Sequence, residues 1–315
     1  MLSEDLRKRI AALNKKSLQP EPVVDQKEAA PQRRPEQKRR TKSSPSVPPA
    51  DPPAPDELRV GPTASDARLK LALQDVAPGV EVENEAGQFL LMDRSFQEVL
   101  PGGGDGFQTR YVQTLTDLDR AAVPADRYQT FDPLATVGAE GLLYVDIEAT
   151  GLTAGTPLFL VGALVFSGGS LRVQQFLARD YTEEVALLMH FSGVLEASQV
   201  VVSFNGKTYD LPYIRDRSIF MNVPFRLWQD HIDLLHVARR RWRAQLPNCK
   251  LQTLEKYICK RIRKGDIPGS EIPDAYHRFV QTGNAVQMRD ILHHNALDLI
   301  TMAEVLMFVL EGRDL

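Results

Sequence analysis

Four acidic residues in the second half of the chain have the residue type and the spacing to hold metal ions. Asp146 and Glu148 lie two apart in the apolar segment LLYVDIEA. Asp210 follows the apolar segment QVVVSF, and Asp298 lies in ILHHNALDLITMAEVLMFVL. Hard cations such as Mg²⁺ and Mn²⁺ prefer oxygen ligands, and a pair of them can promote phosphodiester hydrolysis. The four acids therefore suggest metal-dependent phosphodiester hydrolysis as a first hypothesis.

Each acid also has a purely structural interpretation. Two positions apart on a strand, Asp146 and Glu148 point to the same face, where they repel unless a cation or several donors offset their burial. At a frayed strand end the same pair could simply be solvated. Asp210 precedes a predicted helix, so it could be an N-cap or a partner of the helix dipole.

Two histidines precede Asp298 on the same predicted helix. His294 lies four residues before Asp298, one turn away on the same face, and His293 lies five before it. Either imidazole could orient or deprotonate an attacking water, or it could be a hydrogen-bonded core residue. The catalytic candidates are Asp146, Glu148, Asp210, His293, His294 and Asp298.

The pattern of apolar residues predicts an α/β domain over residues 141–315. LLYVDIEA, PLFLVGALVF and SLRVQQFLA read as three consecutive strands of an antiparallel meander, and QVVVSF reads as a fourth strand. Helices are predicted at 182–195, 211–221, 251–260, 274–281 and 286–310. This order favours a mixed sheet with a helical C-terminal end.

The first part of the chain has a different composition. Residues 1–42 carry twelve Lys and Arg against six Asp and Glu, and the Pro-rich sequence up to residue 57 has little apolar surface to bury. We predict a basic, disordered arm over 1–57, with a short helix possible at 3–16. Its basic residues could contact phosphate groups or form a solvated tail. Residues 58–140 are predicted to be a small β-rich lead-in, with a hairpin formed by 80–82 and 88–92.

Cysteine usage and hydropathy predict a reduced, cytoplasmic protein. The two cysteines, Cys249 and Cys259, form no CxxC pair and have no zinc-type spacing to the histidines. The longest apolar runs are about half the ~20 residues that a membrane span needs, so no contact with a membrane is expected.

In order and spacing, the motifs DIEATGL, NGKTYDLPYI and HHNALD resemble those of the DEDD 3′-5′ exonuclease superfamily. Together with HIDLLHVARR and GDIPGSEIP, they resemble the bacterial YprB-like family of ribonuclease H-like exonucleases over about residues 141–310. This resemblance implies a ribonuclease H-like mixed sheet flanked by helices. It also implies a 3′-5′ exonuclease that acts on single-stranded DNA or RNA with two Mg²⁺ or Mn²⁺ ions.

The resemblance also implies roles for individual residues. Asp146 would contact both ions, Glu148 and Asp298 mainly one, and Asp210 would complete the site partly through water. Some relatives have a tyrosine four residues before the last Asp of the site, and this position corresponds to His294. Others have a histidine five residues before it, which corresponds to His293. The motif HNALD favours His294. By analogy, the residues that could contact substrate are Thr150, Gly151, Leu152, Asn205 and Lys207, although each could equally serve a turn or the surface.

Other interpretations remain open. The chain could be a catalytically weak nucleic-acid-binding or scaffold protein whose arm recruits a protein partner, or a structure-selective endonuclease on the same fold. Asp233 and His231 are expected to have structural roles. The run Arg239 to Arg243, interrupted by Trp242, could form a basic and aromatic surface for a nucleic acid strand, or an exposed helix face.

Overall fold

The computed structural model describes residues 70–102, 106–118, 131–263 and 265–315. The predicted arm over 1–57, its short helix and its basic cluster lie outside the described residues. So does the part of the predicted lead-in that precedes residue 70.

Seven strands form one mixed sheet in these described ranges. They are β1 (Val80–Asn84), β2 (Gly87–Ser95), β3 (Leu142–Ala149), β4 (Leu158–Ser167), β5 (Ser170–Leu177), β6 (Val200–Ser203) and β7 (Asp230–Asp233). Their order across the sheet is β1-β2-β5-β4-β3-β6-β7. The pairs from β1 to β3 are antiparallel, whereas β6 pairs in parallel with β3 and β7 with β6. The mixed sheet that the sequence predicts is confirmed. Strand β3 is the strand at which the pairing changes from antiparallel to parallel.

The predicted meander is formed by β3, β4 and β5. Gly168 and Gly169 connect β4 to β5 with φ angles of 58° and 78°, which glycine adopts without the steric cost of a Cβ atom. Most residues of β3 and β4 are buried, because helices cover both faces of the sheet. The continuous apolar runs in the sequence follow from this two-sided burial.

The described helices flank this sheet. They are α1 (Leu73–Val76), α2 (Phe96–Val99), α3 (Phe107–Thr116), α4 (Leu134–Val137), α5 (Glu184–Ala197), α6 (Asp210–Phe220), α7 (Leu234–Trp242), α8 (Leu251–Tyr257), α9 (Ile272–Thr282) and α10 (Val286–Leu310), with 3₁₀ turns at Ala139–Gly141 and Gly269–Glu271. Helix α10 has the predicted bounds. No helix in the described ranges combines the length and the apolar character needed to cross a bilayer.

The predicted lead-in contributes to the same sheet as the residues that follow it. The predicted hairpin is present as β1 and β2, and β2 pairs with β5 through Leu90 to Ser95. The boundary predicted at residue 141 therefore falls within one sheet. No helix is predicted from the sequence where α3 forms, because polar residues outnumber apolar ones there. Its buried residues Phe107, Tyr111 and Leu115 repeat every four positions, which is helical spacing.

Candidate metal centre

Strand β3 carries Asp146 and Glu148 on the face of the sheet that α10 covers. Leu142 and Tyr144 pack into the same core cluster as the buried residues of α10 from Leu299 onward, whereas Leu143, Val145 and Ile147 pack into the cluster on the opposite face. Side chains alternate along a strand, so Asp146 and Glu148 continue the series of Leu142 and Tyr144. The face beneath α10 thus changes from apolar to acidic at the end of β3.

Asp210 is the first residue of α6, which follows β6 through a tight turn at residues 204–209. Because β6 runs parallel to β3, this turn lies at the sheet edge where β3 ends. The Asp233 carboxylate accepts hydrogen bonds from the backbone N–H groups of Asn205 at 2.8 Å and Lys207 at 3.2 Å, and it caps α7 at Leu235. Asp233 therefore has the structural role that the sequence predicts. Asp210 itself is 5% exposed.

Glycine is required in the turn before Asp210. A Cβ atom on Gly206 would lie 2.3 Å from Ser203 Oγ and 3.4 Å from Asp210 Oδ2. Ser203 Oγ is in turn 2.7 Å from His231 Nε2, so the two side chains are hydrogen-bonded to each other. Burial lowers the pKa of His231 to about 4. This histidine is therefore neutral near pH 7 and supports the turn, as the sequence analysis expects.

Helix α10 places His294 and Asp298 one turn apart. His294 Nε2 is 3.5 Å from Asp298 Oδ2, and His294 Nδ1 lies 2.8 Å from Asp266 Oδ1. Burial opposes protonation of His294, but the hydrogen bond to Asp266 and the charge of Asp298 raise its pKa overall. Arg263 donates a hydrogen bond from Nη2 to Asp298 Oδ1. His293 is exposed on a different side of the helix.

The carboxylates of β3 repel their acidic neighbours. Burial raises the pKa of Asp146 well above its ordinary value, and the charges of Asp298, Glu148 and Asp210 raise it further. Burial also raises the pKa of Glu148 to about 8, with Asp298 and Asp210 contributing to the rise and His294 opposing it. Mutual repulsion of this kind requires the four acids to be neighbours in one low-dielectric site.

The other two acids are held by different partners. Burial raises the pKa of Asp210 to about 7, although backbone hydrogen bonds at its carboxylate oppose the rise. Burial likewise raises the pKa of Asp298, while Arg263 and His294 lower it. The cluster thus combines four carboxylates with one guanidinium and one imidazole, and it carries excess negative charge when ionised.

The ligand chemistry of this cluster fits a hard divalent cation. All four acids offer carboxylate oxygens, and the burial that raises their pKa values would be offset by bound positive charge. As the side chains stand, however, no group of three or more His, Cys, Asp or Glu residues in the described part of the chain could hold a metal ion. Asp298 is turned toward Arg263 and His294. Binding of a cation would require this carboxylate to exchange those partners.

Three polar residues next to the acids are not predicted from the sequence. Arg263 and Asp266 contact Asp298 and His294 from the irregular segment after α8, where no periodic pattern marks them. Asn295 Nδ2 donates to Asp146 Oδ2 at 2.8 Å and to the Asp146 carbonyl oxygen at 3.2 Å. The signal for Asn295 was present, because it is a fully buried amide in an apolar helix and such a group requires hydrogen-bond partners.

The loop after β3 contains three of the predicted substrate contacts. Thr150 closes this loop, since its N–H and Oγ1 both donate to the Pro157 carbonyl oxygen, at 2.9 and 3.1 Å. The Gly151 carbonyl oxygen accepts hydrogen bonds from the hydroxyl groups of Tyr209 and Tyr213. Leu152 follows and is 87% exposed.

The other two predicted substrate contacts, Asn205 and Lys207, lie in the turn before α6. Asp233 fixes the backbone of both residues. Both residues are exposed. The structure thus brings the five candidates to two loops at the end of β3 and β6, and a role in binding substrate remains a proposal for each of them.

The predicted basic and aromatic surface on α7 is wrong for its aromatic member. Leu234, Ala238 and Trp242 repeat every four residues and face the core, so Trp242 is 1% exposed and packs edge-on against Phe308. A base cannot stack on a buried indole. Arg241 is also largely covered and pairs with Asp314. The exposed arginines of this run are Arg239, Arg240 and Arg243.

Residues 143–309 match the family model of the ribonuclease H superfamily, and this chain belongs to that superfamily. It is 31% identical over 176 residues to the uncharacterized protein YprB of Bacillus subtilis, covering 53% of this chain and 42% of YprB. It is 25% identical over 160 residues to the uncharacterized protein MJ0365 of Methanocaldococcus jannaschii, covering 49% of this chain and 87% of that protein. The predicted ribonuclease H-like fold and the resemblance to the YprB-like family are confirmed.

A solved structure is similar over about half of this chain. The family B DNA polymerase from Pyrobaculum calidifontis shares 16% sequence identity with a TM-score of 0.42, covering 54% of this chain and 25% of the polymerase chain. The segment matched to YprB likewise spans less than half the length of that protein.

Proposed function

We propose that this protein is a metal-dependent 3′-5′ exonuclease that hydrolyses phosphodiester bonds of single-stranded DNA or RNA. The observation that carries the proposal is the meeting of Asp146, Glu148, Asp210 and Asp298 in one buried, electrostatically coupled cluster. Membership of the ribonuclease H superfamily supports a nucleic acid as the substrate. The 3′-5′ direction and the preference for single strands rest on the motif resemblance alone.

A purely structural role explains this cluster poorly. Buried acids in a structural network are normally matched by an equal number of donors or cations, because an unpaired buried charge is costly. Here Arg263 and His294 face four carboxylates, and the pKa values of all four are raised by neighbouring acids as well as by burial. Perturbed groups of this kind concentrate at functional sites. A binding site for divalent cations accounts for the excess of acids.

Different residues of the site would have different roles in hydrolysis. Asp146, Glu148, Asp210 and Asp298 would hold two Mg²⁺ or Mn²⁺ ions. Bound ions of this kind supply a reactive water and stabilise the charge on the leaving oxygen.

His294 is the residue best placed to orient or deprotonate the attacking water. Asp266 binds Nδ1 of this histidine, so Nε2 is the nitrogen that faces Asp298 and the acidic cluster. His293 has an exposed side chain and is the weaker candidate.

Groups at this edge of the sheet would bind the nucleic acid strand. The candidates for contacts with the terminal nucleotide and its phosphates are Thr150, Gly151, Leu152, Asn205 and Lys207. Helix α7 begins where β7 ends, and β7 is parallel to β6, so α7 starts at the same edge of the sheet. Its exposed residues Arg239, Arg240 and Arg243 could neutralise backbone phosphates farther along the strand.

The test is degradation of single-stranded DNA and RNA that carry a label at either end, with Mg²⁺ or Mn²⁺. We expect a ladder whose polarity shows 3′ to 5′ digestion, and its loss with a chelator or in Asp146→Asn. Glu140→Gln changes an exposed glutamate before β3 and should remain active. A circular single strand should stay intact. Cleavage of the circle would indicate an endonuclease instead, and strand binding without metal-dependent cleavage would indicate a binding protein.

A further inference from the structure

Four side chains form a continuous hydrogen-bonded relay from the N-terminal hairpin to Asp146. Arg94 on β2 donates from Nη2 to Gln175 Oε1 on β5 at 2.5 Å. Gln175 Nε2 donates to Asn295 Oδ1 on α10 at 2.8 Å. Asn295 Nδ2 then donates to Asp146 Oδ2 at 2.8 Å. The two amides in the middle of this relay are fully buried.

The direction of this relay follows from the chemistry of its first member. A guanidinium can only donate hydrogen bonds, so Gln175 must turn its oxygen toward Arg94 and its nitrogen toward Asn295. Asn295 must then accept with its oxygen and present its nitrogen to the Asp146 carboxylate. The Leu292 carbonyl oxygen accepts a second bond from Gln175 Nε2 at 2.8 Å and reinforces this orientation. An amide turned the other way would place its oxygen against the carboxylate.

The sheet makes space for this relay at one position. Asp146, Gly162 and Gln175 lie opposite one another on β3, β4 and β5. The Asn295 side chain of α10 lies between Asp146 and Gln175 and packs against Gly162. A Cβ atom on Gly162 would lie 2.2 Å from Asn295 Oδ1. A glycine in the middle of a buried strand normally weakens the sheet, and here its absence of a side chain admits the amide.

The first member of the relay lies in a costly environment. Arg94 Nε is buried and has no hydrogen-bond partner among the described residues. Burial also lowers the pKa of the Arg94 guanidinium. An apolar side chain on β2 would avoid this desolvation. The unfavourable burial of this guanidinium is explained if its role is to fix the orientation of the Gln175 and Asn295 amides.

We propose that Arg94 is a positioning residue for the metal site, which fixes the Asp146 side chain through Gln175 and Asn295. The inference rests on the proposed function, because it assigns Asp146 to the binding of divalent cations. The relay holds Oδ2 of Asp146 against the protein and leaves Oδ1 for a cation. Arg94 precedes residues 143–309, so the determinant comes from outside the segment that matches the superfamily.

The test compares Mn²⁺ binding by calorimetry in the full chain and in two arginine variants. Loss of a residue hydrogen-bonded to a metal ligand typically weakens metal binding by about 10- to 100-fold. Because Arg94 acts through two amides, we expect about tenfold, the lower end of this range, for Arg94→Met. Arg172→Met is the matched control. Arg172 on β5 lies opposite Ser95, the residue after Arg94, pairs with Asp93 at the surface and has no part in the relay. We expect its Mn²⁺ affinity to stay within about threefold of wild type, well short of the relay effect.

Two further variants separate orientation from general destabilisation. Gln175→Glu can still accept from Arg94 but has no N–H to donate onward, so it should weaken Mn²⁺ binding as Arg94→Met does. Arg94→Lys keeps a cationic donor and should recover part of the affinity. In chelated protein, the side-chain amide NMR signals of Asn295 should shift in Arg94→Met and stay in place in Arg172→Met.

The possible outcomes distinguish the inference from the proposed function. If wild type and Arg94→Met bind Mn²⁺ equally and the Asn295 signals coincide, the relay is overturned while the metal site stands. If the folded wild type binds no Mn²⁺, the proposed metal site fails and the positioning role fails with it. If Arg94→Met does not fold, Gln175→Glu and Arg94→Lys decide the question by the same two measurements.

Discussion

Replacement of Glu148 by glutamine should stabilise the protein in the absence of metal. Burial and neighbouring acids raise the pKa of Glu148 to about 8. In the unfolded chain, glutamate releases its proton near its ordinary pKa of about 4.3. The contribution of this group to stability is therefore fully present below the ordinary pKa and is lost as pH rises toward about 8. Glutamine has no proton to lose, so Glu148→Gln removes this pH-dependent loss.

The size of the effect follows from the pKa shift. One pKa unit corresponds to about 1.4 kcal/mol, so complete ionisation of Glu148 in the folded protein would cost about 5 kcal/mol. The pKa of about 8 already includes the attraction to His294, but the glutamine amide of the variant must be buried among the same groups, which offsets part of the gain. We expect a net gain of about 1–3 kcal/mol at pH 8, which raises Tm by roughly 2–10 °C. At pH 5.5 the same linkage contributes about 2 kcal/mol instead of about 5 kcal/mol, so after the offset the variant should gain little or no stability there.

The assay is thermal and urea unfolding of chelated protein at pH 5.5 and pH 8, with Glu140→Gln as the control for loss of an exposed glutamate. Mn²⁺ should raise the Tm of the wild type more than that of Glu148→Gln, because the ion stabilises the folded state that binds it. The reasoning is refuted if Glu148→Gln is no more stable than wild type at pH 8. It is also refuted if the gain is the same at both pH values.

Three further substitutions test separate parts of the structure. Asp266→Asn should lower kcat by about 10- to 100-fold with little change in KM, since His294 loses its carboxylate partner; equal kcat would remove Asp266 from the proposed mechanism. Gly162→Ala should destabilise the fold by about 1–3 kcal/mol in urea unfolding, because the added methyl overlaps the amide above it, and an unchanged midpoint would contradict the packing. Arg217→Met leaves Glu184 buried without its ion pair, 2.5 Å long in the native structure, and should cost about 3–5 kcal/mol. A cost under about 1 kcal/mol would show that the pair is replaceable, as exposed pairs are.

The parts of the fold that could be predicted are those in which one short segment contains its own signal. Strands β3 to β5 are apolar runs separated by glycine-containing segments, and their residue types fix both the strands and the meander. Asp146 and Glu148 could be placed on one face by strand alternation alone, and His294 and Asp298 by helical spacing. The acids of the site were therefore accessible from the sequence.

The rest depends on contacts between distant segments. Arg94 reaches the site only because β2 pairs with β5, and no local pattern specifies that pairing. Arg263 and Asp266 lie in an irregular segment, so their direction is set by the elements around them. For Trp242 the local signal was present but was overlooked. The four nearby arginines indicated an exposed surface, whereas the four-residue spacing of its apolar neighbours places the indole in the core.

The hairpin of β1 and β2 also determines which fragments of the chain would remain soluble. A fragment limited to residues 143–309 would lack β2, and the backbone N–H and C=O groups along one side of β5 would be unpaired. An open, apolar edge of this kind recruits strands from other molecules and leads to aggregation. Among the described residues the outer strand on this side of the sheet is β1, whose exposed Glu81 and Glu83 discourage such pairing. Expression designs should therefore retain the hairpin even when only the ribonuclease H-like region is wanted.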